Sequence, residues 1–397
     1  MKLSQRALNI KESPTMAISA KAKAMKERGF DIIDFGVGEP GFDTPENIKE
    51  AGIKAIRDGF TKYTAVGGTN ELKDAIIGKF RRDNDLEYTR DEVLVSCGGK
   101  HSIFNLCMAM FESGDEVLIP APYWVSYPEM VSLAGAEPII IPSREDNNFK
   151  ITAGDINEYI SPATKAVIIN SPSNPTGVVY EPSELKLIAD VCLKKGIFII
   201  SDEIYEKLIY DGHPFVSMAS FSKAVKQQTI VLNGVSKTYS MTGWRIGYAA
   251  GPKELIKAMA DIQSQSTSNP CSISQKSAVE ALNGKQDSVE KMAAELDERR
   301  KVMVNGLNAI KGIKCIMPKG AFYVFPNIRR LLNKRFGDKV IKTSTDMADF
   351  LLEQAEVAVV PGDAFAGWNY MRLSYATNME NIKEGLKRIG EAVSKLE

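Results

Sequence analysis

Residues 229–245 read TIVLNGVSKTYSMTGWR, which joins a buried-strand pattern to a group of reactive side chains. The apolar run 229–232 is followed at once by small and polar residues, and Lys237 stands among them. A lysine placed there can be a buried amine that acts as a nucleophile, and Arg245 further along can hold an anion. Schiff-base chemistry with a phosphorylated aldehyde cofactor needs this pair of groups. On this segment alone, a surface lysine with a salt-bridging arginine remains the alternative.

The composition is that of an ordinary soluble globular protein without a charge bias. The chain has 397 residues, enough for one large and one smaller domain, and 44% of them are hydrophobic. Lysine and arginine together number 50, as do aspartate and glutamate, so no net field favours nucleic acid or an anionic membrane. The N-terminal residues lack the apolar core of a signal peptide, and no stretch approaches the roughly 18 apolar residues of a membrane span. We therefore expect a cytoplasmic protein that binds neither nucleic acid nor membrane.

Cysteine and histidine usage predicts neither a disulfide framework nor a metal site. The five cysteines are odd in number and show no C-x-x-C spacing, which fits a reducing compartment. The two histidines, His101 and His213, are too few and too far apart for a histidine-based metal site.

Short apolar runs alternate with helical patterns through the middle of the chain. Most runs are continuous rather than alternating, which indicates strands that are buried on both faces. Strands separated by helix-length segments predict an α/β fold with a mostly parallel central sheet flanked by helices. The predicted strands are 92–96, 116–119, 138–141, 166–169 and 198–200.

The C-terminal part of the chain has a different pattern. From about residue 253 to 311 it is helical and charged without a strand signal, which predicts a long helix pair leaving the sheet domain. The remainder mixes apolar runs with helices and predicts a smaller α+β domain. The predicted division is an N-terminal arm with part of the small domain over 1–45, a large domain over 46–290 and a small C-terminal domain over 291–397.

Polar clusters follow several of the predicted strands, and ligands bind where the carboxyl ends of such strands meet. Gly98 and Gly99 at a helix start would let backbone N–H groups approach a phosphate, although a Gly-Gly pair is often only a turn. Trp124 could stack on a flat cofactor ring, and a core tryptophan is the alternative. Asn174 lies in a polar turn and could donate to a phenolic oxygen, although Asn-Pro also simply favours turns.

Asp202 ends an apolar strand, where a carboxylate is desolvated unless a cation pairs with it. A pyridinium nitrogen would be such a cation, and Tyr205 would then face the hydroxyl of the same ring. A helix N-cap is the alternative for Asp202. Each cluster is weak by itself, but together they supply a phosphate cradle, a stacking ring, a pyridinium partner and an amine.

Longer motifs extend over nearly the whole chain. They are GVGEPGFDTP at 36–45, KY at 62–63, PYWVSYPE at 122–129, NPTG at 174–177, SDEIY at 201–205, SKTYSMTGWRIGY at 236–248 and MRLSY at 371–375. In these motifs the chain resembles the fold-type I, class I aminotransferases that use pyridoxal 5′-phosphate (PLP). The resemblance is strongest to bacterial aspartate aminotransferases, a subgroup that includes enzymes acting on prephenate. It implies a fold-type I PLP-transferase and a homodimer with shared active sites.

The resemblance implies a role for each matching residue near the cofactor ring. Lys237 would carry PLP as a Schiff base and, once displaced by substrate, would move the proton of the reaction. Asp202 would pair with the pyridine nitrogen, and Tyr205 and Asn174 would contact the phenolic oxygen. Trp124 would stack on the ring. Trp124 and Asn174 are expected to contact the substrate as well.

Other matching residues would bind the phosphate and the substrate carboxylate. Arg372 would hold the substrate α-carboxylate in the two-pronged geometry that arginine favours. Gly38 would lie against the substrate, where a side chain would clash. The phosphate would be bound by Gly98, Gly99, Arg245 and, across the dimer interface, Tyr63.

The chain departs from the family pattern at two places. Family members often have a serine three residues before the lysine; here Gly234 stands there, and Ser236 could supply the missing phosphate contact. The arginine that some aspartate aminotransferases supply from the neighbouring subunit has no counterpart in 263–270.

Two lysines bear on substrate choice. Lys100 resembles the lysine that serves the side-chain carboxylate in the bacterial subgroup, so we expect it to bind the distal carboxylate of aspartate or glutamate. The alternative is a helix-start lysine near the cofactor phosphate. Lys11 matches a basic residue near the substrate entrance of the prephenate-using enzymes, although a lysine in an N-terminal arm is usually just solvated.

The predicted reaction is transfer of the amino group of L-aspartate or glutamate to 2-oxoglutarate by a ping-pong route, with prephenate as a further acceptor. An aminotransferase for aromatic or other amino acids and a PLP-dependent lyase remain open, because one fold hosts several chemistries. A non-enzymatic regulator would carry an added DNA-binding module, and the chain has neither the spare length nor the basic pattern for one.

Overall fold

The computed structural model describes residues 2–10 and 14–397, over which strands and helices alternate as the apolar pattern predicts. The strands are β1 (Ile33–Asp34), β2 (Val93–Ser96), β3 (Glu116–Ala121), β4 (Glu137–Pro142), β5 (Thr164–Asn170), β6 (Phe198–Asp202), β7 (Thr229–Gly234), β8 (Gly247–Ala250), β9 (Tyr323–Val324), β10 (Arg335–Phe336), β11 (Lys339–Val340), β12 (Val357–Ala358), β13 (Val360–Pro361) and β14 (Met371–Ser374). The helices are α1 (Gln5–Asn9), α2 (Pro14–Glu27), α3 (Glu46–Arg57), α4 (Asn70–Asn84), α5 (Gly99–Met110), α6 (Ser126–Leu133), α7 (Ala153–Tyr159), α8 (Pro182–Lys195), α9 (Lys223–Gln227), α10 (Lys253–Ser266), α11 (Ser272–Asn283), α12 (Asp287–Ala309), α13 (Ser344–Ala355) and α14 (Met379–Val393).

A seven-stranded sheet in the order β2-β8-β7-β6-β5-β3-β4 forms the centre of the fold. Only β8 in this sheet runs antiparallel to its neighbours, so the predicted mostly parallel α/β fold is confirmed. Apolar clusters lie on both faces, because Val93 and Val95 join one cluster and Leu94 joins another. The sequence pattern missed β8, whose Gly-Tyr-Ala-Ala sequence has no β-branched residue.

The carboxyl ends of neighbouring parallel strands bring polar residues together. Asn170 is the last residue of β5, and it lies in register with Asp202, the last residue of β6. Asp202 in turn pairs with Leu232 of β7, two residues before that strand ends at Gly234. Because β6 and β7 are neighbours in the sheet, the residues that follow β7 lie beside the Asp202 carboxylate.

The C-terminal part differs from the prediction in one respect. The expected long helix pair is wrong, since α10, α11 and α12 are three helices. Pro270 lies between the first two and cannot donate the backbone hydrogen bond that a continuous helix requires. Beyond them, β13, β14 and β9 form an antiparallel sheet.

One apolar cluster combines the N-terminal and C-terminal parts of the chain. Its buried residues include Ile18 and Phe35 together with side chains from Met292 to Leu396. This grouping supports the proposed division into 1–45, 46–290 and 291–397, whose boundaries stay a proposal. All five cysteines are free thiols, and among the described residues no helix is long and apolar enough to cross a bilayer.

Candidate active site

The predicted polar clusters converge on one cavity at the carboxyl ends of the sheet strands. Its volume is about 300 Å³, which suits a small-molecule ligand. Strand ends of the sheet, the start of α5 and the C-terminal sheet all contribute to its walls. The predicted site residues that line it are Gly38, Gly99, Lys100, Trp124, Asn174, Asp202, Tyr205, Ser236, Lys237, Arg245 and Arg372.

Three predicted site residues do not line the cavity. Gly98 lies directly behind it, where it caps α5 and contacts the Arg245 guanidinium. Tyr63 has 92% of its surface exposed and does not reach the cavity of its own chain. Lys11 lies outside the described residues.

Lys237 follows β7 and is partly buried among charged groups of both signs. Its Nζ donates a hydrogen bond to the Gly38 carbonyl oxygen at 2.6 Å. Burial lowers the pKa of Lys237 to about 8, and the positive charges of Arg372 and Arg245 act in the same direction. At pH 7 roughly one amine in ten is therefore uncharged, which is the form that attacks a carbonyl or accepts a proton.

Asp202 is a buried carboxylate that is held by two donors. The Tyr127 hydroxyl donates to its Oδ2 at 2.6 Å, and the Ile204 amide donates to its Oδ1 at 3.2 Å. Burial raises the pKa of Asp202, while both hydrogen bonds oppose that rise. Residues 204–207 form a turn and not a helix, so Asp202 is not a helix N-cap.

In the part of the chain that the structure describes, no lysine or arginine forms an ion pair with the Asp202 carboxylate, and Lys237 acts on it only from a longer distance. A buried carboxylate without a cation is unfavourable. A protonated pyridine nitrogen beside it would supply the missing charge, so this environment fits the ring of PLP.

Arg372 comes from β14 and enters the cavity from the side opposite the large sheet. Its Nη2 donates to the Gly36 carbonyl oxygen at 2.6 Å, and its Nη1 donates to Asn174 Oδ1 at 3.1 Å. The guanidinium packs over the Tyr323 ring at 4.7 Å. Its Nε is buried and has no hydrogen-bond partner among the described residues. This rigid, unneutralised cation fits a substrate carboxylate.

The start of α5 forms a cradle that fits a phosphate group. Gly98 has a φ of +88°, and a Cβ there would overlap the Arg245 guanidinium. Arg245 is held in place because its Nη1 donates to the Thr242 carbonyl oxygen at 2.8 Å and its Nη2 donates to that of Cys97 at 3.3 Å. Free amides at the helix start and the arginine charge together attract an anion.

The departure at Gly234 has a local steric reason. A Cβ at this position would lie 3.0 Å from the Ile246 carbonyl oxygen and 3.1 Å from the Gly247 Cα. Gly234 pairs with Gly247 in the sheet, so a serine here would fit only if the neighbouring backbone moved by a few tenths of an ångström. Ser236 lines the cavity instead.

Lys100 and Trp124 lie together on one wall of the cavity. The Lys100 Nζ is 5.1 Å from the centre of the Trp124 ring. Burial and the nearby Arg245 charge lower the pKa of Lys100. Trp124 is only partly buried and faces the cavity, which excludes the alternative of a core tryptophan. Lys100 is thus close enough to the phosphate cradle and to the substrate space for either predicted role.

Sequence reasoning gave no role to three residues that organise the site. Tyr127 donates a hydrogen bond to Asp202. Tyr127 follows Trp124 by three residues, about one helical turn, and this spacing could have indicated that both side chains face the site. Asn170 donates to the Asp202 carbonyl oxygen at 3.0 Å, and its place directly after the predicted strand 166–169 could also have pointed to it. The Tyr323 hydroxyl is 3.0 Å from that of Tyr205. No local signal identifies Tyr323, because it arrives from the C-terminal sheet.

Comparisons with known proteins agree along the whole chain. The family model described as Aminotransferase class I and II matches residues 31–389. An aspartate/prephenate aminotransferase of Nitrosomonas europaea is 50% identical over 397 residues, 99% of this chain and 100% of that protein. The aspartate aminotransferase structure from Rhizobium meliloti has a TM-score of 0.97 at 46% identity and covers 100% of both chains. The Thermus thermophilus aspartate aminotransferase with maleate has a TM-score of 0.93 at 41% identity, covering 99% of this chain and 100% of that chain.

Proposed function

Because the chain belongs to the class I and II aminotransferases, we propose that it is a PLP-dependent enzyme that transfers the amino group of L-aspartate or glutamate to 2-oxoglutarate. The observation that carries this proposal is the environment of Lys237. Its buried amine has a pKa of about 8 and shares one cavity with the Asp202 carboxylate and the Arg372 guanidinium. This set supplies a nucleophile, a partner for a cationic ring and a carboxylate receptor.

The residues present fit PLP as the cofactor. Asp202 would hold the pyridine nitrogen, the Trp124 ring would cover one face, and the cradle at Gly98 with Arg245 would hold the phosphate. Tyr205 and Asn174 also line the cavity and would face the phenolic oxygen. PLP, when bound, supplies an electron sink for the negative charge that develops at the substrate Cα.

The side chains of this protein do the remaining work of binding and proton transfer. Arg372 orients the substrate through its α-carboxylate, and Lys237 Nζ is the base placed to take the proton from the substrate Cα. The Tyr127 hydroxyl donates a hydrogen bond to Asp202 and so opposes the rise in its pKa that burial causes. The lowered pKa of Lys237 makes its neutral amine available near neutral pH.

We propose a preference for dicarboxylic substrates, with Lys100 as the receptor for the distal carboxylate. The Thermus thermophilus relative is described with maleate, which is a dicarboxylate. Prephenate also carries two carboxylates, and the name of the Nitrosomonas europaea relative supports it as a further acceptor. The cavity lining contains Lys237, which would carry the cofactor as a Schiff base, and Lys100, which is left to bind a substrate carboxylate.

We propose that the enzyme works as a homodimer in the cytoplasm. Tyr63 is 92% exposed, and Ile53 and Ile56 of the neighbouring α3 expose 37% and 56% of their surfaces. Burial of these side chains against a second copy would be favourable and would let Tyr63 reach the partner's phosphate cradle. The cytoplasmic location rests on the cysteine pattern and stays a prediction.

The half-reaction of the PLP-loaded enzyme tests this function. Aspartate, glutamate, alanine, tyrosine and kynurenine are each added without an acceptor, and the absorbance of the cofactor is followed. We expect aspartate and glutamate to convert the aldehyde form of the cofactor to its amine form, with one oxo acid released per site. Oxaloacetate, 2-oxoglutarate and prephenate then test the return half.

The Lys237→Ala variant is the control and must not show catalytic conversion. Release of ammonia with the cofactor left in its aldehyde form would identify a lyase. A preference for tyrosine or kynurenine over aspartate would identify an aminotransferase for aromatic amino acids. Either result would overturn the proposed substrate class.

A further inference from the structure

A second groove on the molecule is larger than the active-site cavity and shares no lining residue with it. Its volume is about 820 Å³, compared with about 300 Å³ for the active site. Residues 144–146, which follow β4, form one wall. The facing wall comes from residues 308–330 and 369–370 of the C-terminal part.

The groove carries a surplus of positive charge. Arg144, Arg329 and Arg330 are exposed, and within residues 2–10 and 14–397 none of their guanidinium groups has a hydrogen-bond or ion-pair partner. The fourth cation is Lys314, and the acidic side chains of the lining are Glu145 and Asp146. Four cations against two carboxylates leave a field that attracts an anion.

Glu145 joins the two walls, so the groove is preformed. Its Oε1 lies 2.8 Å from Lys314 Nζ, and its Oε2 accepts hydrogen bonds from Asn327 Nδ2 at 2.6 Å and the Tyr370 hydroxyl at 3.0 Å. Burial opposes ionisation of Glu145, but these three partners hold its pKa below the usual value. Lys314 therefore neutralises Glu145, and the three arginines remain available to a ligand.

We propose that this groove binds a small anion that carries two or more phosphate groups. Guanidinium groups match phosphate oxygens in paired hydrogen bonds, and a volume of about 820 Å³ is that of a site for a nucleotide-sized molecule. Arg329 and Arg330 line the groove together with Arg144, which comes from a separate chain segment, so phosphate groups can be held by both segments. Two walls fixed in advance reduce the ordering cost of binding.

Calorimetric titration of the PLP-loaded enzyme tests the proposal, because bound PLP already occupies the phosphate cradle of the active site. The probes are inorganic tripolyphosphate and ATP at low ionic strength. We expect saturable binding at one site per chain. The Arg329→Gln/Arg330→Gln variant should bind at least about tenfold more weakly, the effect of losing one charge-assisted hydrogen bond. Equal affinity of the two probes would assign recognition to the phosphates, whereas tighter ATP binding would add contacts to the nucleoside.

The matched control is Arg335→Gln/Lys342→Gln, which removes the same charge from exposed positions outside the groove. Its affinity should stay within about twofold of the wild type. The Arg144→Gln variant, in the segment 144–146, provides an independent test if Arg329→Gln/Arg330→Gln does not fold. It should also bind both probes more weakly than the wild type. Absence of saturable binding, or equal losses in the groove and control variants, would overturn the proposal. Tighter binding of an RNA oligonucleotide than of ATP would also overturn it.

Discussion

Replacing Lys100 with methionine separates the two roles that its position allows. Methionine keeps an unbranched apolar side chain over Trp124 but removes the ammonium group that lies 5.1 Å from that ring. If Lys100 binds the distal carboxylate, the variant binds the transition state more weakly only for substrates that carry a distal carboxylate. If it serves the cofactor phosphate, every substrate is affected alike.

The size of the effect follows from the partial burial of Lys100. Burial lowers its pKa, so its ammonium is partly desolvated, but the residue keeps enough exposure for water to screen it. A charge-assisted hydrogen bond in such a place contributes about 1.5 to 3 kcal/mol. We expect kcat/KM for aspartate to fall about 10- to 150-fold, and kcat/KM for alanine to change by less than about twofold.

The assay compares kcat/KM for aspartate and alanine in the wild type and in Lys100→Met, together with the dissociation constant of PLP. The control is Lys73→Met, because Lys73 is also partly buried with a lowered pKa, and its Nζ donates to the Arg90 carbonyl oxygen at 2.9 Å, outside the cavity. This control should leave the ratio of the two kcat/KM values unchanged. Equal losses for both amino acids, accompanied by weaker PLP binding, would refute the role in substrate selection.

Three further substitutions or titrations probe the cofactor side of the site. The rate of PLP uptake by the apoenzyme should rise with pH and level off just above the Lys237 pKa of about 8, because only the neutral amine reacts; stopped-flow absorbance measures this, and a rate that keeps rising up to pH 10 would contradict it. Tyr127→Phe removes a 2.6 Å hydrogen bond that lowers the pKa of Asp202, so PLP affinity should fall about 10- to 100-fold and fall more steeply as pH decreases; a pH-independent affinity equal to that of the wild type would argue against it. Gly98→Ala places a methyl group against Arg245 at a φ of +88°, and we expect a loss of about 1 to 3 kcal/mol in stability with weaker PLP binding, measured by thermal unfolding with and without PLP; an unchanged Tm would show that the loop adapts.

The sequence alone determined the fold class and predicted most of the residues that line the candidate active site. Continuous apolar runs predict doubly buried strands, and polar residues directly after such runs must meet at one edge of a parallel sheet. Lys237 and Asp202 could therefore be placed together before any contact was known. The motifs added the family resemblance, which assigned a role to Arg372 although it is distant in the chain.

Tertiary structure decided the electrostatics and the partners of these groups. The pKa of Lys237 depends on burial and on charges that come from separate parts of the chain, and no local pattern encodes that sum. No local pattern predicts the contact between Tyr323 and Tyr205 either, because Tyr323 belongs to a different sheet and a distant part of the chain. The steric reason for Gly234 likewise appears only when β7 pairs with β8, a strand too short and too poor in β-branched residues to be recognised by pattern. Sequence periodicity reports what is buried, whereas the chemistry of a buried group depends on which distant neighbours the folded chain brings to it.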